Sequence, residues 1–357
     1  MSFGFEAAGI NVVLAVDSNP LNTTYHRRNF PFCTTITGDL AKISASDLRR
    51  YPRLGRKRID VLFGGPPCEG FSVGGKRKTG DARNLLLHHF ARFVGELRPR
   101  YFVVENVEGL TYKTGRPILE RFLASVRRHG YRHVVPIAAL DAQDFGVPQR
   151  RKRVFILGYR RGFKRPRYPK SRSGRARPSV WDAIGDLPDL NAHKELFSED
   201  VWIGRLRAPS VYARSLRESV NGSRVSLTGC LNTRHDAAIR ARFRKTTPGQ
   251  FEPISRFFRL AKRGVASTLR AGSGPAYGSF TAPRPIHPVH PRCISVREAA
   301  RLHSFPDSFR FHPSRWHGFR QIGSSVPPKL ARTIAQSVIA ALKASRRSKS
   351  TRGKANG

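Results

Sequence analysis

The residues of this chain with the most chemical promise stand in a glycine- and proline-rich run, Gly64-Gly65-Pro66-Pro67-Cys68-Glu69-Gly70-Phe71-Ser72. Glycines admit close backbone approach and prolines stiffen the loop, so a thiol at Cys68 is held in place. As a thiolate, favoured by nearby cations, it is a nucleophile for covalent catalysis. A lone cysteine after a strand is more often a small buried residue, so its neighbours decide. Glu105-Asn106-Val107 brings a carboxyl. Alone it reads as a helix cap or salt-bridge partner; beside a nucleophile it suits general-acid work. Gln149-Arg150-Arg151-Lys152-Arg153 reads as a solvated basic run, or as a strand start whose alternating residues Gln149, Arg151 and Arg153 share one side.

The elements that must position these groups follow from hydrophobic pattern. Residues 11–16, 59–63, 101–104, 133–138 and 154–157 are short β-branched runs, and residues 81–97 and 117–129 carry apolar positions at helical spacing. Alternating βα units imply an α/β fold whose sheet is mostly parallel and covered by helices on both faces. Ligands then collect at the carboxyl ends of the strands, where Asp39, Gly64, Cys68, Glu105 and Asn106 fall. Residues 160–179 are basic and rich in Pro, Gly and Ser, a linker or DNA-facing loop, and irregular sequence follows to about Arg292. Ser295 and Glu298 form a capping-box pattern for a helix over 295–303. Leu330, Ile334, Val338 and Leu342 make one buried stripe of a helix over 329–342, and residues 344–357 read as a disordered basic tail.

Charge narrows the partner. The chain holds 66 Lys+Arg against 24 Asp+Glu, a formal net charge of +42 over 357 residues. Such self-repulsion is relieved by a polyanion, nucleic acid foremost. The four cysteines are widely spaced with no C-x-x-C pair, which fits a reducing cytoplasm. No apolar run suggests a membrane span and no cationic start suggests a signal peptide. His287, His290 and Cys293 have metal-like spacing, but two are locked in His-Pro pairs with no fourth ligand near, so no metal is expected.

In order, the chain shows GFEAAG (4–9), Asp17 after a strand, Gly38-Asp39-Leu40, GGPPCEGFS (64–72), Arg83-Asn84-Leu85, ENV (105–107), QRRKR (149–153), SVREAARLHSFPDSF (295–309) and GSSVPP (323–328). This ordered set resembles the motifs of the DNA (cytosine-5)-methyltransferases over residues 1–160 and 285–340. The resemblance implies a Rossmann-like methyltransferase fold using S-adenosyl-L-methionine. Residues 1–160 would be the catalytic domain, 161–292 a smaller irregular target-recognition domain, and 293–343 a return to the catalytic domain. It implies double-stranded DNA as substrate, with a cytosine flipped from the duplex at a cost of a few kcal/mol. Cys68 would then attack C6, Glu105 would hydrogen-bond or protonate N3, and Arg151 and Arg153 would hold the base's O2 and the catalytic loop. Pro66, Asn106 and Gln149 would lie at the substrate; Asp17, Ser18, Asp39, Leu40, Pro67, Leu86 and Ser324 would line the cofactor site. The loop 73–81, with three glycines and three cations, would close over the flipped base. A monomer located with the nucleoid and a cognate restriction endonuclease as partner complete the implied picture.

The chain departs from the family in three places. The family opens with a strand and a Phe-x-Gly-x-Gly turn that cradles the cofactor's methionine part. Here Met1-Ser2-Phe3-Gly4-Phe5-Glu6 stands where the following helix should begin, so that first strand is missing from these residues. A start set downstream of the true one accounts for this, as does a catalytically inactive DNA-binding protein that keeps the fold; the nearly complete later motifs favour the former. Glu69 replaces a common Gln, and its charge near Cys68 would raise the thiol pKa. Ser324 stands where Asn is usual and can still donate one hydrogen bond.

Overall fold

The computed structural model describes residues 1–66, 85–171, 176–217, 224–272 and 284–354, without the side chains of Leu85 and of 348–354. Pro67, Cys68 and the loop 73–81 therefore lie outside the described residues. The chain divides into two compact units: residues 1–141, 152–171 and 331–357 form the first, and residues 142–151 and 172–330 the second.

In the first unit, α1 (Ser2–Glu6) leads to β1 (Leu14–Asp17), α2 (Pro20–Asn29), β2 (Thr34–Thr37), α3 (Ala45–Arg49) and β3 (Val61–Gly64). Then come α4 (Leu85–Leu97), β4 (Tyr101–Asn106), α5 (Arg116–Arg128), β5 (Tyr131–His133), β6 (Ala138–Asp141) and β7 (Lys152–Arg160). Every residue of β4 is buried. It pairs in parallel with β3 and antiparallel with β7, and β7 also runs antiparallel to β5 and β6. The sheet is therefore mixed, where the βα pattern led us to expect mostly parallel pairing. No crossover helix separates β5, β6 and β7, and without one successive strands pair antiparallel. The expected strand over 133–138 is also split, because Pro136 has no N–H to give a ladder.

Strands β1 and β2 pair in parallel as a separate two-stranded sheet. Among the described residues, β1 and β3 each pair on one side only. Helix α4 is buried on two faces. Leu87, Phe90, Ala91 and Val94 meet Phe102 and Val104 of β4 with Leu119, Phe122 and Val126 of α5. Phe93 and Leu97 meet Val13, Leu14, Val16, Ile36 and Leu62 from the edges of both sheets. Gly158 on β7 faces the Phe102 ring on β4, which a Cβ at that position would overlap.

The last helix, α11 (Pro328–Lys354), continues past Ala344, so the tail expected to be disordered is helical to Lys354. Ser345 anchors it within the first unit. Its hydroxyl bonds Tyr101 Oη at 3.0 Å and accepts the Lys164 N–H at 2.8 Å. The buried stripe runs through Leu330, Ile334, Val338 and Ala341; Leu342 lies only partly inside.

The second unit contains α6 (Val180–Ile184), an antiparallel pair of β8 (Trp202–Gly204) and β9 (Val225–Leu227), α7 (Val211–Arg214) and α8 (Ala237–Lys245). It also contains α9 (Val296–Leu302) and α10 (Arg315–Ser324). The capping box read at Ser295 and Glu298 is present. Residues 293–330 belong to this unit and only 331 onward to the first, because Val296, Ala299 and Ala300 share a core with Val180, Ala183 and Ile184.

Buried arginines organise that core. Arg301 is fully buried and reaches both Asp186 and Asp307, and Arg292 makes a two-pronged pair with Glu298 at 2.9 and 2.7 Å. Burial alone would raise the Glu298 carboxyl, but the Arg292 guanidinium and the Ser295 N–H hold it down at about 2. A carboxyl depressed in the fold stabilises it fully above its unfolded value and progressively less as pH falls through the folded one. Glu298→Gln should therefore cost ~3 kcal/mol or more near pH 7, since it strands a buried cation. In denaturation curves the gap to wild type should narrow from about pH 4.5 down to about 2; a gap constant across that range contradicts the assignment.

Candidate active site

Register decides what meets at the carboxyl ends of β3 and β4. Gly64 pairs with Val104, so Glu105 and Asn106 continue alongside Gly65 and Pro66. Asn106 Nδ2 donates to the Pro66 carbonyl at 3.0 Å, and its Oδ1 accepts the Val107 N–H at 2.9 Å. Gly65 needs its missing side chain: a Cβ there would stand 2.7 Å from Glu105 Oε2. The Glu105 carboxylate also pairs with Arg153 Nε of β7 at 3.1 Å, the two side chains being 12% and 16% exposed. Arg153 Nη1 donates to the Lys152 carbonyl at 2.7 Å, which fixes the guanidinium from behind. A mostly buried, cation-paired carboxylate thus stands beside the backbone that enters Pro67-Cys68.

The β1–β2 sheet carries a second group. Asp17 ends β1, and its carbonyl accepts the Gly38 N–H at 3.0 Å, so Asp17-Ser18 and Gly38-Asp39 share one sheet edge. Both aspartates are exposed and oriented locally. Asp17 accepts from Asn19 N at 2.8 Å and Asn22 Nδ2 at 3.2 Å, and Asp39 accepts from Ala41 N at 2.9 Å. Ser18 is exposed, and Leu40 and Leu86 are half-buried. Arg92 of α4 clamps the loop that holds Leu40, donating to the carbonyls of Leu40 at 2.6 Å and Ile43 at 2.8 Å. Sequence reasoning missed Arg92. Its only visible signal is the i,i+4 pair with Glu96, which reads as ordinary helix surface.

In the second unit Gln149 and Arg151 are almost wholly inside, at 0% and 1% exposure. Arg151 donates to the carbonyls of Leu269 at 2.9 Å, Gly323 at 2.6 Å and Ser325 at 2.9 Å. Gln149 Nε2 bonds His303 Nδ1 at 3.0 Å, and its Oε1 accepts Leu269 N–H at 3.2 Å. The buried His303 reaches on to the Ser325 carbonyl at 3.2 Å. An added Cβ at Gly323 would run into the backbone of Arg270 and Ala271, so this cluster binds segment 266–272 to the end of α10. In this structure Gln149 and Arg151 brace loops of the second unit through these bonds. Ser324 is exposed, and its hydroxyl donates back to the Arg320 carbonyl at 2.8 Å.

The first unit is thus an α/β sheet with carboxylates at its strand ends, one of them ion-paired beside Gly65-Pro66. The family model of C-5 cytosine-specific DNA methylases matches residues 1–340. The Type II methyltransferase M.XorII of Xanthomonas oryzae pv. oryzae is 45% identical over 353 residues, 96% of this chain and 82% of that one. Type II methyltransferase M1.HphI of Haemophilus parahaemolyticus is 32% identical over 351 residues, 95% and 83% of the two chains. A solved structure of a DNA modification methyltransferase encoded within a prophage of E. coli superposes with a TM-score of 0.81 at 30% identity, covering 96% of each chain. The chain belongs to the C-5 cytosine-specific DNA methylase family and is an enzyme of that class.

The two arginines should separate on substitution. Arg151→Lys cannot span the carbonyls of Leu269, Gly323 and Ser325 together, and each buried carbonyl left unpaired costs ~1–3 kcal/mol, so the melting temperature should fall by several degrees. Arg153→Lys keeps a cation beside the mostly buried Glu105 carboxylate and should move it far less. Equal shifts in a melting experiment would contradict the division into brace and site residue.

Proposed function

We propose that this enzyme transfers a methyl group from S-adenosyl-L-methionine to carbon 5 of a cytosine flipped out of double-stranded DNA, with Cys68 as the covalent nucleophile. The observation that carries this reading is Glu105, held by Arg153 against Gly65-Pro66, two residues before Cys68. The Cys68 thiolate adds to C6 while Glu105 hydrogen-bonds or protonates N3, which moves electron density onto carbon 5. Arg153 holds Glu105 in place and offers further donors to the base. Loss of the C5 proton and departure of Cys68 then restore the aromatic ring.

The cofactor fits the donor set on the β1–β2 edge. Two exposed, oriented carboxylates suit groups that donate hydrogen bonds: Asp17 with Ser18 for ribose hydroxyls, Asp39 for the adenine amino group. Leu40 and Leu86 supply apolar surface, with Pro67 assigned there by motif position. When bound, S-adenosyl-L-methionine supplies the electrophilic methyl group. Ser324 as a cofactor contact and Pro66, Asn106 and Gln149 near the base remain part of the reading. Pro66 and Asn106 act there by shaping backbone, since Asn106 donates to the Pro66 carbonyl.

Type II relatives make a cognate restriction endonuclease the expected partner, and the enzyme is expected to act as a cytoplasmic monomer at the nucleoid. No helix among the described residues is long and apolar enough to cross a membrane. The second reading is a DNA-binding protein that keeps the fold without turnover, and the following experiment separates the two.

DNA carrying 5-fluorocytosine traps the covalent intermediate, because fluorine cannot leave as the C5 proton does. Wild-type protein with S-adenosyl-L-methionine should give an adduct stable on a denaturing gel, and Cys68→Ser should give none. If the wild type forms no adduct and calorimetry shows no heat with S-adenosyl-L-methionine, the second reading replaces the first. Asp17→Ala should weaken the cofactor heat and leave duplex binding intact.

A further inference from the structure

Residues 247–259 of the second unit form a braced hairpin. Gly249 N–H donates to the Arg259 carbonyl at 2.8 Å, Arg259 N–H to Gln250 at 2.8 Å and Glu252 N–H to Phe257 at 2.8 Å. Phe251 bridges to Phe258 across the strands, their rings 5.2 Å apart edge to face. At the tip, Arg256 has a φ of 58°, stabilised by its N–H bond to the Glu252 carbonyl at 2.9 Å.

The base of the hairpin is bolted to α8. Arg259 is buried and donates to the carbonyls of Phe243 at 3.1 Å, Arg244 at 3.0 Å and Thr246 at 2.7 Å. Glu252 is 1% exposed; its carboxylate accepts the Ser255 N–H at 2.5 Å and pairs with Arg242 at 3.3 Å. It is also the only carboxylate between Ala237 and Arg263, a stretch that holds Arg240, Arg242, Arg244, Lys245, Arg256, Arg259, Lys262 and Arg263. The segment has turned its one anion inward to hold its own shape.

Its outward face is a combination that folding does not require. Phe251 is 58% and Ile254 69% exposed, with Gln250, Pro253 and Arg256 also exposed between or beside them. Arg240, Arg244 and Lys245 are exposed on α8. Two apolar side chains on a braced tip, flanked by cations of α8 that lie beyond its exposed N-cap Asp236, match a surface whose apolar faces lie between rows of negative charge. Duplex DNA is that surface: phosphates take the cations, and base edges and stacked faces take the apolar wedge and the hydrogen-bonding side chains. An anionic lipid surface shares the charge but needs neither a braced tip nor the exposed amide and guanidinium of Gln250 and Arg256.

We propose that the 247–259 hairpin is the sequence-reading element of this enzyme. In this assignment Phe251, Ile254 and Arg256 enter a groove of the target duplex, and Arg240, Arg244 and Lys245 take the flanking phosphates. The proposal rests on the methyltransferase reading for its substrate, and on the hairpin's own geometry for its placement.

The test uses the full chain and a plasmid. Wild type, Phe251→Ala/Ile254→Ala and Arg256→Ala are each incubated with plasmid and S-adenosyl-L-methionine, and methylated positions are mapped by bisulfite sequencing. Melting temperatures should match, because the altered side chains are exposed. Losing one apolar or bidentate base contact typically costs about tenfold or more in discrimination. We therefore expect the variants to methylate wild-type sites at least about tenfold more slowly, or to gain sites that differ from them at one position. If the wild type methylates and both variants keep its map and rate, the hairpin proposal is overturned while the proposed function stands. If the wild type methylates nothing, anisotropy with labelled duplex decides: about tenfold weaker binding by the variants supports the hairpin, and equal binding overturns it. Variants that lose binding to phosphatidylserine vesicles while keeping duplex binding would assign the tip to a lipid surface instead.

Discussion

Strand β4 is hydrogen-bonded on both edges and buried along its whole length, and the chemistry of the first unit depends on where it ends. The register with β3 leaves Glu105 and Asn106 one and two residues beyond the last pair, level with Gly65 and Pro66. The register with β7 places Phe155 opposite Glu105, so Arg153 comes from two residues away along the same strand. A one-residue slip would turn every side chain of β4 to the opposite face, taking Phe102 and Val104 out of the α4–α5 core and moving Glu105 off the face it now occupies. The core that holds β4 in register is thus the same device that aims the carboxylate.

The net charge is a poor guide to how individual cations are used. Arg151, Arg259, Arg292, Arg297 and Arg301 are all buried in the second unit. They satisfy backbone carbonyls or carboxylates in a region with little regular secondary structure. A guanidinium has five donors in a fixed fork, so one arginine can tie together several carbonyls that no helix or sheet has paired. This lets an irregular segment keep a defined shape without a continuous ladder. The cations left on the surface, such as those of α8, are the ones available to phosphates.

Much of the first unit was legible in the sequence because hydrophobic period and motif order speak for local elements. The strands near 61–64 and 101–106, the helices α4, α5 and α9, and the Ser295–Glu298 capping box all follow from spacing within a dozen residues. Strand direction was less legible: the antiparallel β7 depends on the lack of a crossover helix after α5, which an apolar run does not announce. The side-chain partners of Gln149 and Arg151 were illegible for a different reason. Leu269, His303, Gly323 and Ser325 lie more than a hundred residues away, and only tertiary structure brings them near. The helical continuation of α11 past Ala344 likewise depends on Ser345 meeting Tyr101, a contact that local composition cannot report.

The two groups of functional candidates in the first unit sit on different pieces of sheet, and in the proposed reaction they act on one substrate pair. Asp17 and Asp39 belong to the β1–β2 piece, Glu105 and Arg153 to the piece containing β3, β4 and β7. Among the described residues no backbone hydrogen bond joins β1 to β3, so a ladder does not keep them in step. Side-chain packing does. Val16 and Ile36 share a cluster with Leu62, Phe93 and Leu97, and Arg92 on the same helix grips the carbonyls of Leu40 and Ile43. Helix α4 is therefore the coupling element: one face packs on β4, the other holds the loop that follows Asp39. Apolar packing is less directional than a hydrogen-bond ladder, so it tolerates small shifts between the pieces. The polar clamp from Arg92 supplies the direction that packing lacks, and it makes the placement of Asp39 relative to Glu105 depend on a residue that touches neither.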